Sequence, residues 1–329
     1  MNKLISPFVI AEVGNNHEGK FEIAKKLILK ASEAGVDAVK FQTFKTEDYV
    51  NASDKKRYNQ LKKFELTKEQ FYKLSKIAKK KNLKFISTPF DLESAEFLNK
   101  IVDFYKISSG DLTYLRLIEN IIKFKKDTII STGCSTIEEI KKTFEFIKKK
   151  NFPLNKLSFL HCVSMYPAPI SNINLSSINY LKKKFNIRIG YSDHSIGYTI
   201  PVLSVLYGAQ IIEKHFTLDN NFSNFRDHKL ALNPEDMKNM VQIIRNLETI
   251  KGNGADIVSK EERVNYKILR RSYYFKKNLK KGNEVSDNDL KYVRPYSSIG
   301  SSNIGLIIGK KLKKDVKINT LIKSSLLKK

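Results

Sequence analysis

The stretch FVIAEVGNNHEG, residues 8–19, begins as an apolar β-rich run and ends in polar residues. No glycine-rich dinucleotide-binding fingerprint follows this first predicted strand, which argues against a doubly wound open sheet. Seven more β-rich runs come after it, at residues 37–43, 84–90, 104–110, 128–133, 157–163, 187–193 and 210–216. Amphipathic helical patterns lie between the runs, for example at residues 20–34, 67–81, 135–149 and 233–250. Eight strand–helix units within about 250 residues predict an α/β protein, a parallel (β/α)8 TIM barrel.

Composition limits the class of protein. Of the 329 residues, 41% are hydrophobic and 11% aromatic, which is enough for a buried core. The sequence lacks a run of about 18 apolar residues, so a membrane-spanning helix is not expected. The N-terminus leads straight into the first strand without the cleavage site of a signal peptide. Cys134 and Cys162 are far apart and lack metal-type spacing, which excludes a disulfide scaffold and favours the reducing cytoplasm.

The chain is strongly basic, with 60 lysine and arginine residues against 34 acidic ones and a net charge of +26. One interpretation is binding to nucleic acid or to an anionic membrane. The other is that the lysines form solvated helix faces, because they cluster in segments such as KKLILK, KIAKKKN and FIKKKN. No zinc-finger, RNP or basic-helix motif accompanies them, so we expect neither nucleic acid nor membrane as a partner. A basic field can still attract a small anionic substrate.

The character of the sequence changes after residue 250, which predicts a catalytic barrel at 1–250 and a different unit beyond it. Residues 251–267 are polar, lack the strand–helix rhythm and predict a linker with a single helical turn. Residues 268–329 carry turn signals between the β-rich pieces RSYYF, YVRPY and LIIGKKL, and predict a small domain. A domain of about 60 residues is marginally stable alone, so we expect it to dock on another surface.

Polar residues follow a rule along the eight predicted strands, because nearly every strand begins apolar and ends polar. The polar end residues are Glu12, Lys40, Gln42, Ser87, Thr88, Lys106, Ser109, Ser131, Thr132, His161, Ser192, Asp193, His194, Glu213 and His215. In a (β/α)8 barrel the C-terminal strand ends converge on one face, and active sites form there. Strands that serve only the hydrophobic core do not need polar ends, so the shared position of these polar residues predicts an active site.

The stretch IIEKHFTLD, residues 211–219, ends the last predicted strand and contains His215, whereas His194 ends the strand before it. Two imidazoles on neighbouring strand ends can ligate one divalent metal ion, although two core histidines bonded to backbone remain an alternative. Residues i and i+2 of a strand face the same side. Glu213 is therefore expected to point with His215, whereas Lys214 points the other way and is predicted to be structural.

Two lysines and four hydroxyls at these strand ends suit a phosphate or a carboxylate. This ring consists of Lys40, Lys106, Thr88, Ser109, Ser131 and Ser192. Each hydroxyl residue alone is better explained as one that bonds backbone or caps a helix, but together they favour an anion site. Glu12 could orient a substrate hydroxyl, hold a metal-bound water or act as a base, and it could also pair with Lys40.

An ordered series of short motifs runs nearly from end to end of the chain. The motifs are AEVGNNHEG (11–19), VKFQT (39–43), STPFD (87–91), YKISSGD (105–111), STG (131–133), LHCVSMYPAP (160–169), GYSDH (190–194), EKHFTLD (213–219) and VRP (293–295). By this set the chain resembles the sialic acid synthase family, the phosphoenolpyruvate-condensing synthases of nine-carbon sugars. FQTF and STPFDLES look more like the legionaminate-type branch than the neuraminate-type branch.

The resemblance implies a transferase that condenses phosphoenolpyruvate with an N-acylated hexosamine, such as N-acetylmannosamine, to form a nonulosonic (sialic-type) acid. It also implies a divalent metal cofactor, Mn²⁺, Mg²⁺ or Co²⁺. Residues 268–329 look like the antifreeze-like (SAF) domain, which in the family swaps across a homodimer and closes the partner's active site. The corresponding expectation is a cytoplasmic homodimer that serves the synthesis of cell-surface polysaccharide.

The resemblance further assigns roles to matching positions. The expected catalytic residues are Glu12, Lys106, His194 and His215, of which the two histidines are the expected metal ligands. The expected substrate-binding residues are Lys40, Gln42, Thr88, Ser109, Asp111, Ser131, Tyr166, Ser192, Asp227 and Arg294. Lys106, Thr88, Ser109, Ser131 and Ser192 match the phosphoenolpyruvate-binding set. Asp227 matches an aspartate that binds the sugar, and Arg294 matches an arginine that reaches the N-acyl sugar from the partner subunit.

The chain departs from the family pattern at three places. Asp111 stands where the family often has glutamate, and Ser164 stands where many members have asparagine or threonine. The usual PGPD after the eighth strand is replaced by NFSNFRDHKL, residues 221–230, in which Asp227 is retained one position further along. This loop borders the sugar site, so the identity of the acceptor stays open.

Two other classes of function remain open on the sequence. A related condensing enzyme could use a phosphorylated aldose, which would require an additional phosphate-binding site. A non-catalytic binding protein could retain the same barrel, although the retained His194, His215 and Lys106 argue against it.

Overall fold

The structure is a computed structural model that describes residues 6–251, 257–297 and 299–328. The chain divides into two compact units, Met1–Ile250 and Lys251–Lys329. Each unit has buried hydrophobic clusters of its own.

Eight parallel strands of the first unit close into a barrel in chain order. They are β1 Phe8–Gly14, β2 Ala38–Thr43, β3 Lys84–Pro89, β4 Phe104–Ile107, β5 Thr128–Ser131, β6 Leu157–Cys162, β7 Arg188–Asp193 and β8 Ile211–His215. β1 pairs with both β2 and β8, which closes the sheet. The predicted (β/α)8 barrel is confirmed. Several strands end earlier than predicted, because their polar ends leave the sheet and enter the loops that form the mouth of the barrel.

Helices connect the strands and cover the barrel. In the described residues they are α1 Phe21–Glu33, α2 Thr46–Tyr49, α3 Lys55–Phe64, α4 Lys68–Lys80, α5 Leu92–Leu98, α6 Leu115–Ile122, α7 Ile137–Lys149, α8 Ser176–Phe185, α9 Thr199–Leu206, α10 Arg226–Leu230, α11 Pro234–Lys251 and α12 Lys260–Leu269. Not one of these helices combines the length and the apolar character needed to cross a membrane.

Capping boxes fix where two of the longer helices begin. Thr67 accepts a hydrogen bond from the backbone N–H of Gln70, whose side chain accepts one from the backbone of Thr67. Thr136 and Glu139 make the same exchange at the start of α7. Such pairs satisfy N–H groups that the first helical turn leaves without partners, so the local sequence determines these boundaries.

The inward-facing side chains of the barrel form an apolar layer below a polar one. The apolar layer contains Ile10, Ala38, Ile86, Ile129, Leu160 and Ile211, with Phe8 and Phe104 packed against it. Two positions further along the strands stand Glu12, Lys40, Thr88, Lys106, Ser131, Cys162, Ser192 and Glu213. Because side chains alternate along a strand, both layers face the same side. The apolar layer thus lies directly beneath the polar groups of the mouth and supports them.

The second unit contains two antiparallel strands, β9 Ser272–Phe275 and β10 Leu290–Val293. Its hydrophobic cluster includes Phe275, which is fully buried. The sequence predicted only a single helical turn in the linker, whereas α12 is a helix of ten residues that begins at an N-cap serine, Ser259. The β-rich piece LIIGKKL (306–312) is not a regular strand among the described residues, since its pairing is limited to isolated bridges at Lys311 and Leu312.

Candidate active site

A cavity of about 280 Å³ opens at the C-terminal ends of the barrel strands. Twelve of the residues predicted from the sequence line it: Glu12, Lys40, Gln42, Thr88, Lys106, Ser109, Ser131, Tyr166, Ser192, His194, His215 and Asp227. Closure of the barrel brings these residues together from positions that are more than two hundred residues apart in the chain, from Glu12 to Asp227. The cavity therefore lies at the face that the polar strand ends indicated.

Two predicted residues do not line the cavity. Asp111 ends a short 3₁₀ helix, Ser109–Asp111, and its carboxylate accepts a hydrogen bond from Ser108 Oγ at 2.5 Å. Ser108 lines the cavity, so Asp111 supports the wall through it. Arg294 belongs to the second unit and is exposed at the end of β10, directly before Pro295.

Four buried charges form the floor of the cavity. Lys40 Nζ lies 2.8 Å from Glu213 Oε2 and 3.4 Å from Glu12 Oε2. Lys106 Nζ lies 3.9 Å from Glu213 Oε1, so Glu213 stands between the two ammonium groups. Buried charges are stable only when they are paired and hydrogen-bonded, and this arrangement pairs each of the four. We call Glu12, Lys40, Lys106 and Glu213 the charged floor.

Hydroxyl groups extend the charged floor. Lys106 Nζ donates a hydrogen bond of 2.7 Å to Ser131 Oγ and one of 3.1 Å to the carbonyl oxygen of Ile107. Ser192 Oγ donates to Glu213 Oε1 at 2.8 Å. These contacts fix the ammonium group of Lys106 while a third N–H remains for a ligand in the cavity. The result is a site suited to an anion.

The glycine of the STG motif allows a close approach at the wall. The backbone N–H of Gly133 donates to Ser109 Oγ at 3.1 Å. A Cβ atom at Gly133 would fall 2.2 Å from Ser164 Oγ and 2.8 Å from Ser109 Oγ. Any larger residue would therefore displace two hydroxyl side chains that line the cavity.

Burial shifts the pKa values of the acidic and basic groups of the charged floor in opposite directions. It raises the pKa of Glu12 to about 7, because desolvation outweighs the attraction of Lys40. It lowers the pKa of Lys106 to about 8, since Glu213 offsets only part of the desolvation. Burial also disfavours the Glu213 carboxylate, but Lys106 and Lys40 overcome this effect and bring the pKa to about 2. The floor thus changes charge twice within the neutral range.

Binding of sulfate to the cavity is expected to weaken as pH rises, in two steps near pH 7 and near pH 8. Ionisation of Glu12 makes the net charge of the charged floor more negative by one unit, and deprotonation of Lys106 does so by another. Sulfate keeps its own charge across this range, so its dissociation constant, measured by calorimetry, reports the protein alone. The variant Glu12→Gln should lose the step near pH 7 and keep the one near pH 8. A dissociation constant that is constant or decreases with rising pH would contradict this account.

Two imidazoles face each other above the charged floor. The ring centroids of His194 and His215 are 5.4 Å apart, and Tyr166 packs on His194 at 4.1 Å. His194 Nδ1 donates to the carbonyl oxygen of Val163 at 2.7 Å, so Nε2 of the neutral ring has its lone pair available. Burial lowers the pKa of His194, but the contacts with Cys162 and Val163 outweigh it and raise the pKa. Nδ1 of His215 makes no hydrogen bond within the described part of the chain, and Asp227 Oδ2 lies 3.9 Å from it.

This donor set fits a divalent ion whose remaining ligands are water or substrate. Burial and the cationic neighbours hold the pKa of His215 well below its usual range, so this imidazole is neutral and can act as a ligand. No group of three or more His, Cys, Asp or Glu side chains with metal-binding geometry occurs among the described residues. A metal held mainly by His194 and His215 would therefore keep open positions, as catalytic sites do.

Lys214 and Asp193 form a second buried pair on the side of the strands that faces away from the cavity. Both are fully buried, and Lys214 Nζ lies 2.6 Å from Asp193 Oδ2. Asp193 also accepts hydrogen bonds from Tyr191 and Ser195. The predicted structural role of Lys214 agrees with these contacts. The pair joins the ends of β7 and β8 directly next to His194.

Replacing Lys214 with methionine is expected to lower the free energy of unfolding by ~3–5 kcal/mol, because it leaves Asp193 as a buried charge without its cation. Urea denaturation would measure the loss. The double variant Asp193→Asn, Lys214→Met should recover part of it, since it removes both charges. Equal instability of the single and double variants would show that the charge pair is not the cause.

Tyr166, Arg226 and Asp227 form one side of the cavity, which we call the Tyr166 wall. The guanidinium of Arg226 lies 4.6 Å from the centre of the Tyr166 ring, and Arg226 Nε lies 3.3 Å from Asp227 Oδ1. Asp227 is buried, and the Arg226 contact to its Oδ1 lacks the geometry of a hydrogen bond. The Asp227 carboxylate can therefore still accept a hydrogen bond from a hydroxyl or N–H group of a ligand.

Several residues of the cavity were missed by the sequence analysis. They include Asn15, Tyr49, Arg57 and Arg226. Glu213, which was expected on the same face of β8 as His215 but was given no role, also lines the cavity. Arg57 gave no signal, since it lies on α3 and not at a strand end.

A closed barrel whose mouth gathers buried ammonium groups, hydroxyls and two imidazoles defines a barrel enzyme that binds a small anionic molecule. The model of the NeuB family matches residues 27–256, and that of the SAF domain matches residues 270–328. The chain belongs to the NeuB family and carries a C-terminal SAF domain.

Named relatives cover most of the chain. The N,N'-diacetyllegionaminic acid synthase of Campylobacter jejuni is 38% identical over 96% of this chain and 98% of that protein. The pseudaminic acid synthase of the same species is 36% identical over 96% of this chain and 95% of that protein. The crystal structure of N-acetylneuraminic acid (sialic acid) synthetase from Leptospira borgpetersenii, in complex with citrate, is 35% identical with a TM-score of 0.73. That match covers 79% of this chain and 90% of the other.

Proposed function

We propose that this protein condenses phosphoenolpyruvate with the open-chain aldehyde of an N-acylated hexosamine, and releases phosphate and a nonulosonic acid. Its relatives are synthases of legionaminic, pseudaminic and sialic acids, and members of the NeuB family are phosphoenolpyruvate-dependent transferases that form C–C bonds. One observation carries the proposal. A single cavity contains an anion site around Lys106 and, above it, two imidazoles with an adjacent carboxylate.

The charged floor would hold the phosphoenolpyruvate. Lys106, fixed by Ser131 and the carbonyl oxygen of Ile107, donates its remaining N–H to the anion. Thr88, Ser109 and Ser192 line the same cavity. Fixing both reactants in one buried cavity lowers the entropic part of the barrier, because the bimolecular step becomes effectively unimolecular.

In the proposed reaction, C3 of the enolpyruvate attacks the aldehyde carbon, and the new C–C bond forms as the C=O π electrons move to the aldehyde oxygen. That oxygen becomes a hydroxyl by taking up the proton that the water of the next step releases. Water adds to the cationic C2, and the tetrahedral intermediate expels phosphate as the C2 carbonyl forms. Glu12 is placed to position this water or to carry its proton, since its pKa of about 7 allows both protonation states at neutral pH. Gln42 Nε2 orients Glu12 by donating to Oε1 at 3.3 Å.

A divalent ion, Mn²⁺, Mg²⁺ or Co²⁺, would be held by His194 and His215. When bound, it would supply Lewis-acid polarisation of the acceptor carbonyl. The free lone pair of His194 and the neutral, unbonded His215 support this assignment. Tyr166 packs against His194 and keeps that ring in place.

The acceptor is proposed to be a neutral N-acylated hexosamine of the legionaminate type, in line with the 38% identity to the legionaminic acid synthase. A phosphorylated aldose is the second candidate, because Arg57 and Arg226 both line the cavity and could bind another phosphate. Arg226 is already paired with Asp227 and stacked on Tyr166, which favours the neutral acceptor.

Release of phosphate from phosphoenolpyruvate tests the proposed function. The assay would contain Mn²⁺ and, in separate reactions, N-acetylmannosamine, a 2,4-diacetamido-trideoxyhexose or a phosphorylated aldose, with mass spectrometry of the products. Acceptor-dependent release with an N-acylated hexosamine is the expected result. Release only with the phosphorylated aldose would favour the second candidate, and no release with any acceptor would leave a binding protein on the same scaffold.

We further propose that the protein is a cytoplasmic homodimer whose SAF domains are exchanged, so that Arg294 reaches the acceptor in the partner's cavity. The match to an SAF domain over residues 270–328 and the exposure of Arg294 support this arrangement. Cys134 and Cys162 are free thiols, which is compatible with a reducing compartment. Sedimentation of the full-length protein tests the dimer, and a monomer at micromolar concentration would refute it.

A further inference from the structure

Three consecutive residues after β8 point in three different directions. Arg226 covers the Tyr166 ring, and Asp227 approaches Nδ1 of His215 at 3.9 Å. His228 turns away from the cavity and is fully buried. The short helix α10, Arg226–Leu230, contains all three and lies within the segment 221–230 in which this sequence departs from the family pattern. The contacts of this loop show what fixes the direction of Arg226 and Asp227.

His228 anchors the loop from behind. Its Nδ1 lies 2.7 Å from Thr217 Oγ1, and its Nε2 lies 3.4 Å from Glu18 Oε1. Its carbonyl oxygen accepts a hydrogen bond of 2.9 Å from Asn220 Nδ2. Both ring nitrogens and the backbone of His228 are therefore held, and Asp227 precedes it by one residue.

Glu18 holds the loop at two points. Besides contacting His228, its carboxylate accepts a hydrogen bond from Ser223 Oγ. The hydroxyl of Ser223 in turn accepts from the backbone N–H of Phe225 at 3.0 Å. Contacts at residues 223 and 228 thus bracket Arg226 and Asp227.

Glu18 comes from a tightly constrained turn. Its own φ is +48°, and that of Gly19 is +76°. A Cβ atom at Gly19 would fall 2.0 Å from the carbonyl oxygen of Lys63, so only glycine fits there. Because this turn packs closely on the end of α3, the position of Glu18 is fixed. Its carboxylate can therefore fix the loop after β8 through Ser223 and His228.

We propose that Glu18, Ser223 and His228, which we call the Glu18 latch, are positioning residues that set the affinity and selectivity for the acceptor. The latch does not line the cavity. It acts by holding Arg226 over the Tyr166 ring and Asp227 beside His215, so that both side chains of the Tyr166 wall keep their positions toward the acceptor. This inference rests on the proposed function, in which the acceptor occupies that wall.

Steady-state kinetics of four variants would test the latch. Glu18→Ala and Ser223→Ala are expected to raise the KM for the acceptor about tenfold, while the KM for phosphoenolpyruvate stays within about twofold. Glu18→Gln should restore most of the affinity, because its amide oxygen still accepts from Ser223. Glu22→Ala, at an exposed position of α1 paired with Lys25, is the matched control and should have no effect. Equal changes in both KM values would overturn the positioning role.

Hydrogen–deuterium exchange separates the latch from the proposed function. The backbone amides of residues 219–231 are expected to exchange faster in Glu18→Ala than in the wild-type protein, the Glu18→Gln variant or the Glu22→Ala control. Unchanged exchange would overturn the latch itself, and faster exchange with an unchanged acceptor KM would overturn its role in acceptor binding. If the wild-type protein uses no acceptor, the proposed function and the acceptor role both fail, whereas exchange still decides the latch.

Discussion

The variant Lys106→Met is expected to release phosphate from phosphoenolpyruvate with a kcat/KM about 10³-fold below that of the wild-type protein. Lys106 is buried, and its ammonium group is the fixed donor of the anion site. Loss of one partner of a buried charged hydrogen bond costs ~2–5 kcal/mol, and each ~1.4 kcal/mol corresponds to tenfold in rate. Methionine fills similar space, and Glu213 keeps its contacts with Lys40 and Ser192.

The matched control for this prediction is Lys126→Met. Lys126 is also partly buried and donates to the carbonyl oxygens of Asn99 and Val102, but it lies before β5, at the end of the barrel opposite the cavity. Its loss should affect stability and leave kcat/KM near the wild-type value. If Lys106→Met folds and retains more than about a tenth of the activity, Lys106 does not bind the phosphate or carboxylate of the substrate.

The variant His215→Ala is expected to lose metal-dependent turnover by more than about 100-fold, since loss of even an outer hydrogen-bond partner of a metal ligand typically costs ~10–100-fold. Calorimetric titration with Mn²⁺, without substrates, should show weaker binding than in the wild-type protein. Chelation of the wild-type protein with EDTA should cause a comparable loss of activity, reversed by added Mn²⁺. These readouts distinguish a ligand from a residue that only shapes the cavity.

The control for the imidazole is His161→Asn. His161 is the second-last residue of β6, but its side chain faces away from the barrel interior and contacts the carbonyl oxygen of Ile173 at 2.7 Å. Removing it should leave Mn²⁺ affinity unchanged. Unaltered Mn²⁺ affinity in His215→Ala would remove His215 from the ligand set, whether or not the variant remained active.

The barrel was predictable because its signal is local. Apolar strand starts, polar strand ends and helical periodicity are properties of short windows, and every strand is found where such a window placed it. Alternation along a strand also put Glu213 with His215 and Lys214 on the opposite side, as the structure shows. The sequence did not show which residue pairs with Lys214. In the structure that partner is Asp193, and the pair joins β7 and β8.

The sequence by itself determined the order of strands and helices, the face on which polar side chains converge and the family to which the motifs belong. Only the tertiary structure decided which charges are paired, because barrel closure sets β1 beside β8 and brings Glu12 and Lys40 to Glu213. It also decided that Glu18 meets His228 across 210 positions of the chain. Such contacts depend on register and burial between distant elements, and no window of sequence contains both partners.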